Sequence, residues 1–168
     1  FRQEARIGNE FVELLNASHA VGHVNIQGDV DGVVRKINLF RNFNNHSYPA
    51  LPFKMYLDIM GIDSIKMELG KWMRLYSAGS LLKKVPIDQQ GNMLITYSGQ
   101  FKTFRYIPFY DVLEHRLPKE YFQNRIVLIG TSLPGLFDLR NAPFNPAFPG
   151  VEVNANILNT LLTGKFVS

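Results

Sequence analysis

The sequence predicts a single α/β domain with a mixed, partly antiparallel sheet, and three observations support this prediction. The chain has 168 residues, of which 46% are hydrophobic and 12% aromatic, enough to form one core. Stretches in which apolar and polar residues alternate are interspersed with stretches of helical periodicity. A continuous apolar run, Ile126-Val-Leu-Ile129, is typical of a strand that is buried on both faces of a sheet.

The first part of the chain predicts a helix followed by a hairpin. Residues 1–8 are interpreted as a frayed or cut end, and Asn9 as the cap of a helix that reaches residue 20. Residues 21–26 and 33–40 alternate in polarity, and the glycines and aspartates between them favour a tight turn. We therefore expect these two segments to form an antiparallel pair.

The middle of the chain predicts a helix and two further strands. Residues 50–60 have apolar positions at helical spacing and are followed by Gly61, a typical helix end. Residues 62–80 fit either a short helix or a loop packed by Trp72. Residues 81–87 and 93–97 are expected to be strands joined by a turn.

The last third predicts two short helices, a strand, a loop and a long helix. The short helices are expected at 109–114 and 118–122, before the apolar run at 126–129. The proline-rich residues 131–150 are interpreted as a long loop. The final helix is expected from 151 to 162, with its apolar positions on one face.

Charge and composition exclude several functional classes. The formal charge of +4 is dispersed along the chain, which argues against a nucleic-acid site. The absence of cysteine excludes disulfides, thiolate nucleophiles and thiolate metal sites. No apolar stretch approaches the roughly 18 residues of a membrane span. If the domain belongs to a membrane protein, we expect its spans to lie outside this chain.

A candidate pocket follows from the position of the predicted strand. In open α/β sheets, ligands bind beyond the carboxyl ends of parallel strands, and here that place is occupied by the long loop and the start of the last helix. The alternative is that the polar residues there only satisfy backbone groups of a fixed loop. The candidate ligand-binding residues are Thr131, Ser132, Asp138, Arg140, Glu152, Asn154, Asn156 and His23.

The sequence offers no pattern for catalysis or metal binding, so we predict no enzyme activity, cofactor or metal. The four histidines lack a second metal-type ligand at helical spacing. Asp138 has no nucleophile or base partner in sequence, and a lone carboxylate specifies no reaction. Asp29 and Asp31 resemble calcium ligands, but further oxygen ligands at set spacings are absent and a turn explains them better.

Seven motifs follow one another along the chain, namely Gly22-His-Val-Asn25, Asp29-Val-Asp-Gly-Val-Val-Arg35, Tyr48-Pro-Ala-Leu51, Val85-Pro-Ile-Asp88, Leu94-Ile-Thr-Tyr97, Arg125-Ile-Val-Leu-Ile-Gly130 and Pro149-Gly-Val-Glu-Val-Asn-Ala-Asn156. Taken in this order, they resemble the motifs of CHASE domains of the second type, which are extracellular sensory domains associated with cyclases and histidine kinases. Each motif is weak alone, but their order and spacing are specific and cover residues 20–163.

The resemblance implies an extracytoplasmic input domain of a bacterial membrane receptor whose output is an adenylate or guanylate cyclase, a histidine kinase or a diguanylate cyclase. Its stimulus would be a small molecule or a protein, and movement of the last helix would carry the signal. A structural module for dimerisation or protein interaction is the alternative. The resemblance also implies strand and helix segments before Gly22 that this sequence lacks, so the chain is either a cut fragment or a shorter member. The run at 126–129 would then lack neighbours, and we expect the isolated domain to form a homodimer or to leave an edge uncovered.

Overall fold

A computed structural model of the chain describes residues 16–131 and 138–167, so the predicted helix at 9–20 lies largely outside the described residues. The described part contains three α-helices, a 3-10 turn and nine short strands. The helices are α1 (Leu51–Ile59), α2 (Phe109–Leu113) and α3 (Gly150–Thr163), and the 3-10 turn is Lys119–Phe122. The strands are β1 (Lys36–Asn38), β2 (Phe40–Phe43), β3 (His46–Pro49), β4 (Ser64–Glu68), β5 (Trp72–Ser77), β6 (Ser80–Pro86), β7 (Asn92–Leu94), β8 (Leu139–Ala142) and β9 (Asn145–Pro149).

The strands form four small antiparallel sheets. Strand β1 pairs with β7, β2 with β3, and β8 with β9, while β4, β5 and β6 form a three-stranded meander. The mixture of helices and antiparallel sheets confirms the predicted α/β class. Within the described residues, no helix is both long and apolar enough to cross a bilayer.

The hydrophobic core joins α1 and α3, which pack against each other, to the inner residues of the sheets. Helix α3 contributes Val153, Ile157 and Leu161, which are four residues apart and therefore lie on one face. Helix α1 contributes Phe53 and Tyr56, which are completely buried. The sheets contribute side chains that are also completely buried, namely Met73, Leu75, Val85 and Met93.

Helix α3 is held at its carboxyl end by two features. Gly164 adopts the left-handed conformation, with φ of 68°, and its amide donates to the Thr160 carbonyl at 3.0 Å. The Lys83 ammonium of β6 donates to the carbonyls of Leu161 at 3.1 Å and Leu162 at 3.4 Å. A positive charge at this position stabilises the negative end of the helix dipole.

The predicted hairpin of residues 21–26 and 33–40 is wrong, although its turn forms. The Asp29 amide donates to the Val33 carbonyl at 2.8 Å, and Arg35 forms ion pairs with Asp29 and Asp31. Strand β1, however, pairs with the distant β7, and this pairing places buried Ile37 opposite buried Met93. The long-range pairing prevails because it buries two apolar side chains in the core, which the local hairpin does not.

Residues 62–80 contain two strands, so both of the predicted alternatives for this segment are wrong. Trp72 begins β5 and is 40% exposed, which means that it does not pack a loop. Ala78 and Gly79 both have positive φ, and this two-residue turn joins β5 to β6. Because β5 is the partner of β6, residues 81–87 do not pair with 93–97 as we expected.

The predicted buried strand at Ile126-Val-Leu-Ile129 is also wrong. This segment belongs to no strand among the described residues, and Ile126, Val127 and Ile129 are 45%, 51% and 81% exposed. A strand buried on both faces needs neighbouring strands and covering layers, and the described part of the chain supplies neither here. The predicted loop at 131–150 is corrected as well, because β8 and β9 form a hairpin within it.

Candidate functional site

Three of the predicted site residues come together at the amino end of α3. The Asp138 carbonyl accepts a hydrogen bond from the Gly150 amide at 2.7 Å, and the Asp138 carboxylate lies 3.4 Å from the Arg140 guanidinium. The Asn154 side chain donates to the Gly150 carbonyl at 3.1 Å. A Cβ atom on Gly150 would lie 2.3 Å from the Asp138 carboxylate, so the Asp138 side chain packs directly against the backbone of Gly150 and would have to shift if that residue carried a side chain.

This group can recognise charge, because Asp138 and Arg140 are both partly exposed, at 38% and 33% of their side chains. Its polar atoms also bind one another and the backbone, as the structural alternative requires. Ligand binding at Asp138, Arg140 and Asn154 therefore stays a prediction. Among the other predicted residues, Thr131 is exposed and directly follows Gly130, and Ser132 lies outside the described residues.

His23 lies away from this group, where it forms an isolated parallel bridge with Ala50 before α1. Both of its ring nitrogens are buried, and no side-chain partner for them lies among the described residues. Burial, together with the positive charge of Arg41, lowers the pKa of His23 to about 4, although a backbone hydrogen bond at Asn38 acts in the opposite direction. The imidazole is therefore neutral at physiological pH, and a role of His23 in ligand binding stays a prediction.

Glu152, in the first turn of α3, makes the most extensive side-chain contacts near the predicted site. Its carboxylate is 2% exposed and accepts hydrogen bonds from the amides of Lys102 at 3.2 Å and Thr103 at 3.1 Å. It also accepts a bond of 2.8 Å from the Tyr106 hydroxyl. Burial and this bond to the carboxylate raise the pKa of the Tyr106 hydroxyl. The amino end of a helix is a favourable place for a carboxylate that has no basic side chain beside it.

Two more polar side chains follow Glu152 along the same face of α3. The Asn156 carbonyl oxygen accepts from the Ser98 amide at 2.8 Å, and the Thr160 hydroxyl accepts from the Thr96 amide at 3.1 Å. All three side chains are buried and are spaced by four residues. We name Glu152, Asn156 and Thr160 the polar stripe, and residues 96–106, which it holds, the clasped segment.

The polar stripe lies beside the apolar stripe of Val153, Ile157 and Leu161, one residue further along the helix in each case. One face of α3 is therefore in the core, and the adjacent face binds main-chain amides of the clasped segment. These bonds depend on the path of the backbone and not on the side chains that it carries. The arrangement ties the position of residues 96–106 directly to the first three turns of α3.

The clasped segment is the part of this arrangement that the sequence did not reveal. Glu152 and Asn156 were among the predicted residues, but Tyr106 and Thr160 were not. A signal for Thr160 exists, since polar residues recur at 152, 156 and 160 beside apolar residues at 153, 157 and 161. Apart from the Tyr106 hydroxyl, the groups that bond to the polar stripe are backbone amides, which no residue type distinguishes.

The site has the properties of a binding or mechanical element. Within the described residues, no three histidine, aspartate or glutamate side chains come together as a metal-binding group. The carboxylate of Glu152 is held by two amides and a phenol, and that of Asp138 by a guanidinium.

Comparison with known proteins assigns the family. The family model described as the CHASE2 domain matches residues 1–168, which is the whole chain. No curated protein and no solved structure matches the chain at a significant level.

Proposed function

The chain belongs to the CHASE2 family of extracellular sensory domains, and from that premise we propose that it is the input domain of a bacterial transmembrane receptor. Domains of this family are sensory and not catalytic, and they lie outside the cytoplasm. The observation that carries the proposal for this chain is the polar stripe, which ties a surface segment to the last helix. A receptor needs such a connection between the place where a stimulus acts and the element that passes the signal on.

In the proposed mechanism, the stimulus acts at the amino end of α3 and α3 carries the response. A small molecule or a protein that contacts Asp138, Arg140 and Asn154 would touch the first turn of this helix. It can shift the equilibrium between two receptor states only if it binds one state more tightly than the other. Because the clasped segment is bonded to the same turns of α3, the two states would differ in how these two elements lie against each other.

Family membership supports an output by a cytoplasmic adenylate or guanylate cyclase, histidine kinase or diguanylate cyclase. The coding sequence on either side of this domain tests that part of the proposal. Membrane-spanning segments followed by a cyclase or kinase domain are expected. A flanking sequence that has neither would contradict the receptor function.

A disulfide between α3 and the clasped segment tests the mechanism. Asn159 donates to the Ser98 hydroxyl at 2.9 Å, so the two side chains are adjacent, and the chain has no cysteine of its own. In the intact receptor with S98C and N159C, oxidation is expected to change the basal output at least about threefold, because allosteric coupling is typically 1–3 kcal/mol. Reduction is expected to restore the output.

The matched control is a disulfide that locks a part of the fold with no proposed role in signalling. Asn42 and Ser47 lie directly opposite each other in β2 and β3, so N42C and S47C give a comparable cross-link. This lock is expected to leave the output unchanged. Equal effects of the two locks, or no effect of the lock on α3, would rule out α3 as the output element.

A second function, a dimerisation or protein-interaction module, is favoured by one specific observation. Residues 126–129 expose apolar side chains that the described part of the chain does not cover. Under this alternative, the α3 lock would leave the output unchanged, whereas substitutions in 126–129 would reduce it.

A further inference from the structure

The outer face of the meander formed by β4, β5 and β6 carries a row of three basic side chains. The register places Lys66 of β4 directly opposite Arg74 of β5, and Arg74 directly opposite Lys84 of β6. Side chains that are paired in this way point to the same face of the sheet, with Cβ atoms about 5 Å apart. The sequence shows no block of charges here, because it is the pairing of the strands that brings these residues together. We name Lys66, Arg74 and Lys84 the basic row.

The basic row points away from the hydrophobic core. Successive side chains of a strand lie on opposite faces of the sheet, and the residues that alternate with the row, Met73, Leu75 and Val85, are completely buried. Two members of the basic row are exposed, and the side chain of the third, Arg74, is 33% exposed. The row is therefore accessible to a partner from outside the domain.

The positive charge of the basic row is only partly neutralised. The Glu68 carboxylate accepts a hydrogen bond of 3.0 Å from Arg74, but its other oxygen is bonded to Lys71 at 2.5 Å. In the described part of the chain, neither Lys66 nor Lys84 forms an ion pair. Like charges directly opposite each other destabilise a sheet, so an anionic partner would relieve a repulsion that the free domain contains.

The meander also accounts for the net charge of the chain. Residues 64–86 contain five basic residues and one acidic residue, which gives them a net charge of +4. The net charge of all 168 residues is also +4, so the rest of the chain is neutral on balance. Because salt screens surface charges beyond about 8–10 Å, an anionic partner would be attracted to this face and not to the chain as a whole.

Large apolar side chains flank the basic row on the same face. Trp72 lies two residues before Arg74 in β5 and is 40% exposed. Leu81 of β6, which is paired with Tyr76 two residues after Arg74, is 44% exposed. Exposed tryptophan and leucine beside lysine and arginine are typical of a surface that rests on a lipid bilayer, since the ring lies at headgroup level and the cations meet anionic lipid.

The geometry of the face favours an extended anionic surface over a small soluble anion. The basic row spans about 10 Å across three strands, so its charges are displayed side by side and do not converge on one phosphate or carboxylate. Recognition of a single small ligand takes polar groups that converge in a concave site. A bilayer that contains anionic lipids presents many negative charges in one plane, which matches the row and Trp72 together.

We propose that the outer face of the meander is a membrane-contact surface, at which the basic row binds the anionic headgroups of a lipid bilayer and Trp72 enters the headgroup layer. The proposal rests on the proposed function in one respect, because a domain just outside the cytoplasmic membrane has such a bilayer within reach. It adds a contact through the sheet, on the side that faces away from the core and from α3. Such a contact holds the domain in one orientation on the bilayer.

Tryptophan fluorescence tests the proposal directly, because Trp72 is the only tryptophan of the 168-residue chain. The chain is titrated with phosphatidylcholine vesicles that contain about 30% phosphatidylglycerol, and with vesicles of phosphatidylcholine alone. With the anionic vesicles, the emission of Trp72 is expected to shift to shorter wavelength and to be quenched by brominated lipid. Binding to the neutral vesicles is expected to be at least about tenfold weaker. Unchanged emission with both kinds of vesicle, or equal binding to both, would overturn the proposal.

Neutralising two members of the basic row is expected to affect binding and stability in opposite directions. The double variant Lys66→Gln with Lys84→Gln should weaken the partition onto anionic vesicles about 10–30-fold, since each cation at an anionic surface contributes about fivefold. Its thermal melting temperature should be unchanged or higher, because the repulsion across the strands is reduced. A variant that binds as tightly as the parent chain would exclude the row as the contact.

The matched control removes the same net charge elsewhere. Lys119 and Lys165 are exposed and lie outside the meander. Lys119→Gln with Lys165→Gln is expected to change the partition less than about twofold, because charges more than a screening length from the bilayer contribute little. Equal weakening by the two double variants would show attraction by net charge alone and would contradict a defined contact surface. Circular dichroism checks that both variants remain folded.

Competition distinguishes a bilayer from a soluble anion. Free glycerol phosphate at about 10 mM is expected to displace the chain from anionic vesicles no more than sodium chloride of equal ionic strength does. Greater displacement would assign the basic row to a soluble phosphate and would overturn the membrane contact. The two proposals fail separately, because a chain that does not bind vesicles leaves the receptor function to the test of its flanking sequence.

Discussion

Helix α3 and residues 107–131, which we call the arm, differ in how completely the fold covers them, although both are rich in apolar residues. In α3, Ile157 is fully buried in the core and Glu152 is buried against the clasped segment. In the arm, Ile129 is 81% exposed and the backbone beside it is unpaired within the described part of the chain. The same residue type, isoleucine, is thus core in one region and surface in the other.

The difference teaches that burial depends on which partners the chain supplies, and not on hydropathy alone. Helix α3 has partners on two adjacent faces, namely the core and the backbone of residues 96–106. The run at 126–129 has an equally apolar sequence, but a strand needs neighbours along its edges, and the described part of the chain supplies none there. The substitutions below test the contrast from the largest expected effect to the smallest.

Truncating one isoleucine in each region gives the largest difference. Ile157→Ala is expected to lower the free energy of unfolding by about 3–4 kcal/mol, because it removes buried contacts and leaves a cavity. Ile129→Ala is expected to change it by less than about 0.5 kcal/mol. Urea unfolding at low protein concentration measures both values. Similar losses in the two variants would mean that the arm is packed as tightly as the core.

Removing the Glu152 carboxylate tests the polar stripe. Glu152→Ala leaves two amides and the Tyr106 hydroxyl without their partner and is expected to cost about 2–3 kcal/mol. Hydrogen exchange at the amides of Lys102 and Thr103 should accelerate at least about tenfold. Glu152→Gln retains the shape but replaces one accepting oxygen with an NH₂ group, which cannot accept the bond from the Thr103 amide, so its cost is expected to be smaller, at about 1–2 kcal/mol. Unchanged exchange at both amides in the alanine variant would contradict the clasp.

Protonation of His23, which lies beside Ala50, is expected to make the free energy of unfolding depend on pH. Its pKa is about 4 in the folded chain and 6.5 when exposed, so between these values the unfolded chain binds more protons. Stability should therefore fall as pH decreases from 6.5 to 4, by roughly 1–2 kcal/mol after allowance for solvent screening. His23→Leu should remove this part of the slope. An identical slope in the variant and the parent chain would assign the pH dependence to other groups.

The smallest effect is expected at the contact between the arm and α3. Gly130→Ala brings a methyl group within 2.6 Å of the Val151 Cβ and is expected to cost about 1 kcal/mol, since either segment must shift. Thermal melting measures the loss, and Thr131→Ala, at an exposed neighbour, is the control. If Gly130→Ala is neutral, the end of the arm is not packed on α3.

The sequence predicted the helices well because a helix is determined by nearby residues. Apolar positions at helical spacing, Gly61 just after α1 and Gly164 at the end of α3 are all local signals. The turn at Asp29 and Gly32 was local as well. Strand partners were not predictable, because Ile37 and Met93 are distant in sequence and nothing in either strand specifies the other.

The candidate site, like the fold, was predicted only where nearby residues determine it. The predicted residues Asp138, Arg140 and Asn154 lie together at the start of α3, and their role in ligand binding stays a prediction. Glu152 and Asn156 were predicted to face a pocket, whereas they bond to the backbone of the clasped segment. Since any residue type offers an amide, no pattern in residues 96–106 could reveal that contact.

The equal spacing of the polar stripe fixes the register of α3 along its own axis. Its acceptors recur every four residues, which is about 6 Å along the axis. A displacement smaller than this separates the amides of Thr96 and Ser98 from any acceptor of the stripe, at about 1–3 kcal/mol for each unsatisfied group. A displacement of one full turn would bring Glu152 to Ser98 and Asn156 to Thr96, but it would take Glu152 away from Lys102, Thr103 and Tyr106. The stripe thus acts as a ruler with a single matching position, which favours one axial placement of the helix over its neighbours.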